Sequence, residues 1–297
     1  MVQDTGFNRN KIDKYYTSAS TVQLCINLFN AKVQPDSDDL IIEPSAGGGA
    51  FVEPIKKLTS NYRFYDLQPE HPDIIQQDFL LLKPHYSDLI FNKIHVLGNP
   101  PFGHRCSIAI KFIKKAAKFA DTISFILPRS FKKEYYKKSV PLNFHLILEV
   151  DLPINSFLVN EEPYDVPCVF QIWEKRSTYR HVEILTPNGF EFIKKNEKPD
   201  ISFRRKGWKD VGLIQKGICV KESSSYYIRF TNGLSVDENI KKLDGLTYDH
   251  NNVITSRSVS RQELIAKFNS RLPLLEASVS SPHSHIRVSI SPGSDGA

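Results

Sequence analysis

The segment Leu40-Ile41-Ile42-Glu43-Pro44-Ser45-Ala46-Gly47-Gly48-Gly49 runs from an apolar strand pattern into a glycine-rich turn, and Ala50-Phe51-Val52 carries it on into a helix. A strand, a turn whose glycines let a backbone approach a ligand, and a helix form the opening unit of a nucleotide-binding α/β sheet. The turn lacks a Gly-Lys-Ser/Thr ending, so it is no phosphate P-loop. Downstream, Tyr62-Arg63-Phe64-Tyr65-Asp66 reads as a short strand ending in a carboxylate, a place that suits an acceptor for ribose hydroxyls. Ile74-Ile75-Gln76-Gln77-Asp78-Phe79 supplies a second acid with an aromatic neighbour. There Asp78 can accept a hydrogen bond from an adenine amine while Phe79 packs on the ring. Taken singly, each acid reads better as a solvated turn or cap residue. Their order along the chain is what points to a nucleoside.

A second apolar run, Ile94-His95-Val96-Leu97-Gly98, leads into Asn99-Pro100-Pro101-Phe102. An exocyclic amine such as N6 of adenine has its lone pair delocalised into the ring. It becomes nucleophilic only when acceptors take both N–H groups and draw the nitrogen towards tetrahedral geometry. The Asn99 side-chain oxygen can take one N–H and the Pro100 carbonyl the other. Pro100 and Pro101 freeze the backbone around both acceptors. Phe102 offers a π-face on which a base swung out of its stack can lie, worth about 1–3 kcal/mol per base. Asn-Pro-Pro is also a common turn, and its meaning comes from the segments that precede it.

Glu43-Pro-x-x-Gly47-x-Gly49, then Asp66, Asp78 and Asn99-Pro-Pro-Phe102, resembles the S-adenosylmethionine-dependent amino-methyltransferases, and the Phe variant looks like their adenine-N6 branch. The resemblance spans roughly residues 11–174. Lys14-Tyr15-Tyr16-Thr17 is similar to the family's N-terminal cofactor motif, although Ser18 stands where a Pro often follows the Thr. This motif order is similar to the gamma arrangement of DNA adenine methyltransferases. The C-terminal third is similar in general character to that of methyltransferases carried by large viruses or phages.

The resemblance implies a Rossmann-like seven-stranded sheet with helices on both faces, S-adenosylmethionine as cofactor, and methyl transfer to adenine N6 in nucleic acid. It implies catalytic roles for Asn99, Pro100, Pro101 and Phe102. It assigns the cofactor to Tyr16, Thr17, Glu43, Pro44, Gly47, Gly49, Asp66, Asp78 and Phe79, with Glu43 near the methionine moiety. No metal and no covalent intermediate are needed, since a sulfonium is an activated leaving group.

Composition agrees with a soluble enzyme of nucleic acid. The chain has 297 residues, 40% of them hydrophobic, enough for one large or two modest domains. No apolar stretch approaches the roughly 20 residues needed to span a bilayer, and the polar start from Met1 to Asn10 is no signal peptide. Cys25, Cys106, Cys168 and Cys219 are scattered without Cys-x-x-Cys pairing, which argues against disulfides and zinc. The expectation is an intracellular protein of cytoplasm or nucleus, in a host cell if viral.

A net charge of +6 and a pI near 9.0 fit a polyanionic partner. Lys111, Lys114, Lys115 and Lys118 fall on one face of a helix expected over Ser107 to Ala120, opposite Phe112, Ala116 and Phe119. Two clusters mix charge with aromatic rings. Lys132, Lys133, Lys137 and Lys138 flank Tyr135 and Tyr136, while Arg204, Arg205, Lys206 and Lys209 flank Phe203 and Trp208. Such mixtures suit phosphate contact with base stacking, or equally the rim of an ordinary domain.

Beyond the Asn-Pro-Pro turn, Thr122–Leu127, His145–Val150 and Val166–Trp173 read as further strands. The resemblance makes the last two the antiparallel hairpin that closes the sheet. His181–Leu185, Ile201–Arg204 and Tyr226–Phe230 read as short strands of a smaller β-rich unit. The expected division is a methyltransferase domain over 1–175, a β-rich target-recognition unit over 176–271 and a disordered Ser-rich tail over 272–297. His283 and His285 in that tail read as stray histidines.

Three alternatives remain at this stage. A protein-glutamine N5 methyltransferase also polarises an amide nitrogen, but that family usually carries Asn-Pro-Pro-Tyr. An RNA adenine methyltransferase would keep every catalytic residue. A nucleic-acid-binding module could carry the same fold without activity.

Overall fold

Buried strands with apolar residues on both faces build the core of the main sheet. The computed structural model describes residues 15–83, 91–207, 210–219, 222–248 and 257–273. Lys14, Trp208, Lys209 and positions 274–297, with His283 and His285, lie outside them.

In chain order, β1 (Tyr16–Thr17) precedes α1 (Ala19–Val33), whose first turn is capped by Ser18. Then follow β2 (Leu40–Glu43), α2 (Val52–Lys56), β3 (Tyr62–Asp66), β4 (Ile75–Gln76), β5 (Ile94–Gly98), α3 (Ser107–Ala116), β6 (Thr122–Pro128), α4 (Glu134–Lys137) and β7 (Phe144–Asp151). A hairpin of β8 (Phe157–Val159) and β9 (Glu162–Tyr164) comes before β10 (Cys168–Lys175). The main sheet has seven strands in the order β4-β3-β2-β5-β6-β10-β7. Strands β2 to β6 are parallel, and β10 lies antiparallel between β6 and β7. This is the Rossmann-like seven-stranded arrangement with an antiparallel closing hairpin that the sequence led us to expect.

Period-2 alternation sends neighbouring side chains to opposite faces of the sheet. Leu40, Ile42, Val96, Ile123, Phe125 and Leu127 face Ala109, Phe112, Ile113 and Ala116 of α3. Ile41, Leu97 and Ile126 face Val22, Cys25, Ile26 and Phe29 of α1 and Val52 and Ile55 of α2. Removing one such side chain, as in Leu97→Ala, costs about 2–5 kcal/mol through lost transfer energy and a residual cavity. The two faces also fix the register that carries the last residue of each parallel strand to one edge of the sheet.

At the opposite, N-terminal edge lies a polar plug. His95 Nε2 meets Asp39 Oδ2 at 3.0 Å and His95 Nδ1 meets Thr122 Oγ1 at 2.8 Å. Burial pushes the imidazole pKa down against the pull of Asp39. An acid, an imidazole and a hydroxyl in line suggest nucleophile chemistry, but His95 and Asp39 are each 1% exposed, and no substrate reaches them. The trio satisfies buried polar groups beneath the strands.

By internal packing the chain forms two units. The first takes residues within 1–184, 204–213 and 247–263, and the second those within 185–203, 214–246 and 264–297. In the first, β13 (Lys206–Gly207) pairs antiparallel with β16 (Arg257–Ser258). The second holds β11 (Phe190–Ile193), most of β12 (Ile201–Arg204), β14 (Ile214–Lys216) and β15 (Ser225–Phe230), in the sheet order β11-β15-β12-β14. It also holds α5 (Val236–Leu243) and most of α6 (Arg261–Asn269). Phe268 of α6 packs edge-on to Phe190 and Phe203, at 5.2 and 6.0 Å between ring centroids. Asn232 and Asn239 exchange side-chain amide hydrogen bonds of 2.7 and 3.1 Å in its interior.

Two local expectations need correction. His181–Leu185 is not a strand: no partner edge receives it, and Ile184 is left 70% exposed. The helix expected to reach Ala120 ends at Ala116.

Candidate active site at the carboxyl ends of the strands

Strands β2, β3 and β5 deliver Glu43, Asp66 and Asn99 to the carboxyl edge of the sheet, the edge at which open α/β folds bind ligands. The chain leaves β2 through Pro44 and Ser45 into the glycine turn. Gly47 and Gly49 there have φ of +52° and +82°, backbone that side chains other than glycine rarely adopt. A Cβ on Gly49 would also lie 3.0 Å from the His71 ring. Asp66 holds the turn in place: its Oδ2 accepts from the Gly47 N–H and its Oδ1 from the Gln68 N–H, both at 2.8 Å.

Thr17, on β1, reaches this edge through strand pairing. The β8–β9 hairpin takes β1 as its third strand, with Thr17 opposite Phe157. Asn99 Nδ2 then donates to Thr17 Oγ1 at 3.2 Å and to the Tyr15 carbonyl at 3.4 Å. The Tyr16 hydroxyl donates to Glu70 at 2.7 Å, and its ring covers Gly48, where a Cβ would come within 3.2 Å of Cε1.

Tyr16, Thr17, Glu43, Gly47 and Asn99 line one small open cleft, with Tyr15, Ser45 and Gly48 among its other walls. Two acceptor atoms in its wall are buried without a hydrogen-bond partner, Asn99 Oδ1 and Glu43 Oε2. Glu43 is 2% exposed. Burial, with the negative charge of Asp66 adding to it, pushes its carboxyl up to about 8. An orphaned buried acceptor costs about 1–3 kcal/mol, so this wall is built for a ligand that brings donors or positive charge.

No protein-family model matches the chain, and no curated protein matches it. Solved structures with a similar fold include a candidate RNA methyltransferase from Pyrococcus horikoshii, at 14% identity over 57% of this chain and 91% of that one, with a TM-score of 0.45. A type I restriction-modification methyltransferase subunit from Streptococcus thermophilus is 14% identical over 57% of this chain and 46% of its own length, with a TM-score of 0.43. The 23S rRNA methyltransferase ErmE is 14% identical over 57% of this chain and 73% of its own, with a TM-score of 0.41.

The remaining expected residues lie outside the lining of the cleft. Pro100 is buried and Pro101 exposed. Phe102 is half-buried between the two apolar clusters, and its carbonyl accepts from the N–H groups of Ile108 and Ala109 at the start of α3. Beyond it Gly103, Arg105 and Cys106 all have positive φ, and a Cβ on Gly103 would lie 2.5 Å from Ile108. Asp78 Oδ1 accepts from the Leu80 N–H at 2.8 Å. Phe79 is a core residue: at 1% exposure its ring packs on Phe112 and Phe119, which leaves no face for an adenine.

The basic clusters are largely occupied within the first unit. Lys132 pairs with Asp151 at 2.9 Å, and Lys133 donates to the Ser258 carbonyl at 2.7 Å. Arg204 is 9% exposed, with its Nε on Asp210 at 2.9 Å, so this guanidinium is part of the fold and not a surface cation. The Arg205 carbonyl accepts from Val259 at 2.8 Å. Lys111 and Lys114 of α3, and Lys118 in the turn after it, are exposed. Among the described residues no group of His, Cys, Asp or Glu could hold a metal ion, and no helix is long and apolar enough to cross a membrane.

Sequence reasoning missed Ser45 and Tyr15 as site residues. Ser45 sits inside the glycine-rich segment, where it could have been noticed. Tyr15 acts through its carbonyl, to which side-chain identity gives no clue.

Proposed function

We propose that the chain is an S-adenosylmethionine-dependent methyltransferase acting on the exocyclic N6 amine of adenine in nucleic acid, with DNA favoured over RNA. The observation that carries this reading is the buried, unpartnered Asn99 Oδ1 in the cleft wall, an acceptor aimed where a substrate N–H would complete it. The cofactor fits the same wall. Glu43 Oε2 lacks a partner that a cationic amino-acid moiety would supply, and the left-handed Gly47 and Gly49 leave the turn without side chains against a ligand. Bound there, S-adenosylmethionine supplies a methyl group on a sulfonium, already activated for transfer.

Each oxygen of Asp66 has a lone pair beyond the one given to the turn, so the carboxylate can hold ribose hydroxyls as well. Asp78 keeps an oxygen for the adenine amine of the cofactor. Asn99 Oδ1 and the Pro100 carbonyl accept the two N–H groups of the target amine and hold its nitrogen in line for attack. Phe102 flanks the base. The displaced amine proton passes to solvent. The second unit serves in target recognition.

Incubation with labelled cofactor and, separately, duplex DNA, single-stranded DNA, structured RNA and a Gln-containing peptide tests this reading. Label is expected in N6-methyladenine and lost with Asn99→Ala. Label on glutamine, or equal activity of the Asn99→Ala protein, overturns it.

A further inference from the structure

A side-chain carboxamide is ambivalent. One end donates and the other accepts, and a half-turn about the last torsion exchanges them with little change in shape. If the Asn99 NH₂ faced the cleft, it would oppose the N–H groups of an amine donor to donor and could not activate it. The reaction proposed above therefore depends on whatever sets the sense of this amide.

Two groups do so together: an obligate acceptor sets the sense, and a hydroxyl, able to donate as well as accept, holds the amide in it. The Tyr15 carbonyl, 3.4 Å from Nδ2, can only accept and so takes the NH₂ end. Thr17 Oγ1 lies closer, at 3.2 Å, and takes an N–H from the same nitrogen. Thr17 is itself fixed from both sides. It pairs with Phe157 across β1 and β8, and the next residue donates its backbone N–H to the Ser156 carbonyl at 3.0 Å before capping α1. The residue is only 7% exposed, so solvent competes little for the hydroxyl.

We infer that Thr17 is a positioning residue for the Asn99 carboxamide, holding Nδ2 inward so that Oδ1 faces the substrate amine, where the sequence had placed it on the cofactor. The inference rests on the function proposed above for its kinetic consequence, and on geometry alone for the state of the amide.

The test compares Thr17→Val, which removes the hydroxyl at nearly constant volume, with Thr17→Ser, which keeps it. For an N6-adenine substrate, Thr17→Val is expected to lower kcat about tenfold, with KM for nucleic acid and Kd for S-adenosylhomocysteine within about twofold. Thr17→Ser should restore kcat, and Thr17→Val should add no further loss to Asn99→Ala. An unchanged kcat, or a weakened cofactor affinity with kcat intact, overturns the inference.

A second readout needs no turnover. In ¹H–¹⁵N spectra the Asn99 side-chain pair is the one absent from Asn99→Ala. It should shift and exchange with water about tenfold faster in Thr17→Val, or in Thr17→Ala should the valine protein not fold, and stay as in the parent in Thr17→Ser. A pair that does not respond overturns the inference even if activity falls. If the parent protein methylates no nucleic acid but the pair responds, the positioning role stands and the proposed substrate falls.

Discussion

Ser45 Oγ donates to the main-chain carbonyl of Asn99 at 3.1 Å, fastening the glycine turn after β2 to the Asn-Pro-Pro-Phe turn after β5. The two segments are remote in sequence but follow the parallel-paired strands β2 and β5, and this bond ties their turns together. Ser45→Ala removes it and should cost about 1 kcal/mol, read as a fall of about 2–4 °C in Tm. Because Asn99 is then held from one side only, kcat is expected to fall more than the affinity for S-adenosylhomocysteine. A loss of affinity alone would assign Ser45 to the cofactor.

Asn99→Ala deletes the orphaned acceptor and leaves the glycine turn untouched. Removing one preorganised hydrogen-bonding group from a transition state typically costs about 10²–10³ in rate. That loss is expected in single-turnover methylation, with cofactor affinity within about twofold by calorimetry. In the unliganded protein the same substitution removes an unsatisfied buried oxygen but also the Nδ2 hydrogen bonds to Thr17 Oγ1 and the Tyr15 carbonyl, so Tm is expected to fall modestly.

Glu43 makes stability and binding depend on pH. Its carboxyl titrates near 8 when folded against an ordinary value of 4.5, so the folded chain holds a proton that the unfolded chain has released between those values. Stability therefore falls as pH rises from about 4.5 to 8. Glu43→Gln should match the parent's unfolding free energy near pH 4.5 and exceed it increasingly up to pH 8, by a few kcal/mol at most, with Tm rising in step. A positive ligand beside the carboxyl favours its ionised form, so S-adenosylmethionine binding at pH 7 should release a proton in the parent and none in Glu43→Gln. Calorimetry in buffers of different ionisation enthalpy reads this directly.

Arg204→Ala separates a structural cation from a nucleic-acid contact. Its bond to Asp210 is charge-assisted and largely buried on the arginine side, worth about 1.5–3 kcal/mol. A lower Tm is expected, while the salt dependence of DNA binding should keep its slope. A slope reduced by about one with Tm unchanged would return Arg204 to the interface.

The main sheet was legible because its strands are covered on both faces and so read as unbroken apolar runs, as in Leu40-Ile41-Ile42 and Ile94–Gly98. The same physics misled at His181–Leu185, where alternation describes a strand only if an edge exists to receive it. The two C-terminal helices were missed although each announces itself. Ser235 with Glu238, and Ser260 with Glu263, form reciprocal caps at the starts of α5 and α6, a spacing visible in the sequence. In the site, Glu43, Asp66 and Asn99 were legible as residues that end strands. The meeting of Thr17 with Asn99 was not, since it depends on a hairpin between β7 and β10 that carries no motif. Phe79 was misread because an aromatic beside an acid looks the same in sequence whether its ring faces a ligand or the core.

The two units are threaded through one another along the chain, which passes from one to the other at residues 184, 203, 213, 246 and 263. No single scission therefore releases either of them whole. A chain stopped after β10 would keep Asn99 and the glycine turn but lose Ser258, the acceptor that anchors Lys133, together with the β13–β16 ribbon. Exchanging the second unit for that of another protein would thus require five coordinated joins, and a protease that nicks one crossing should leave both pieces associated.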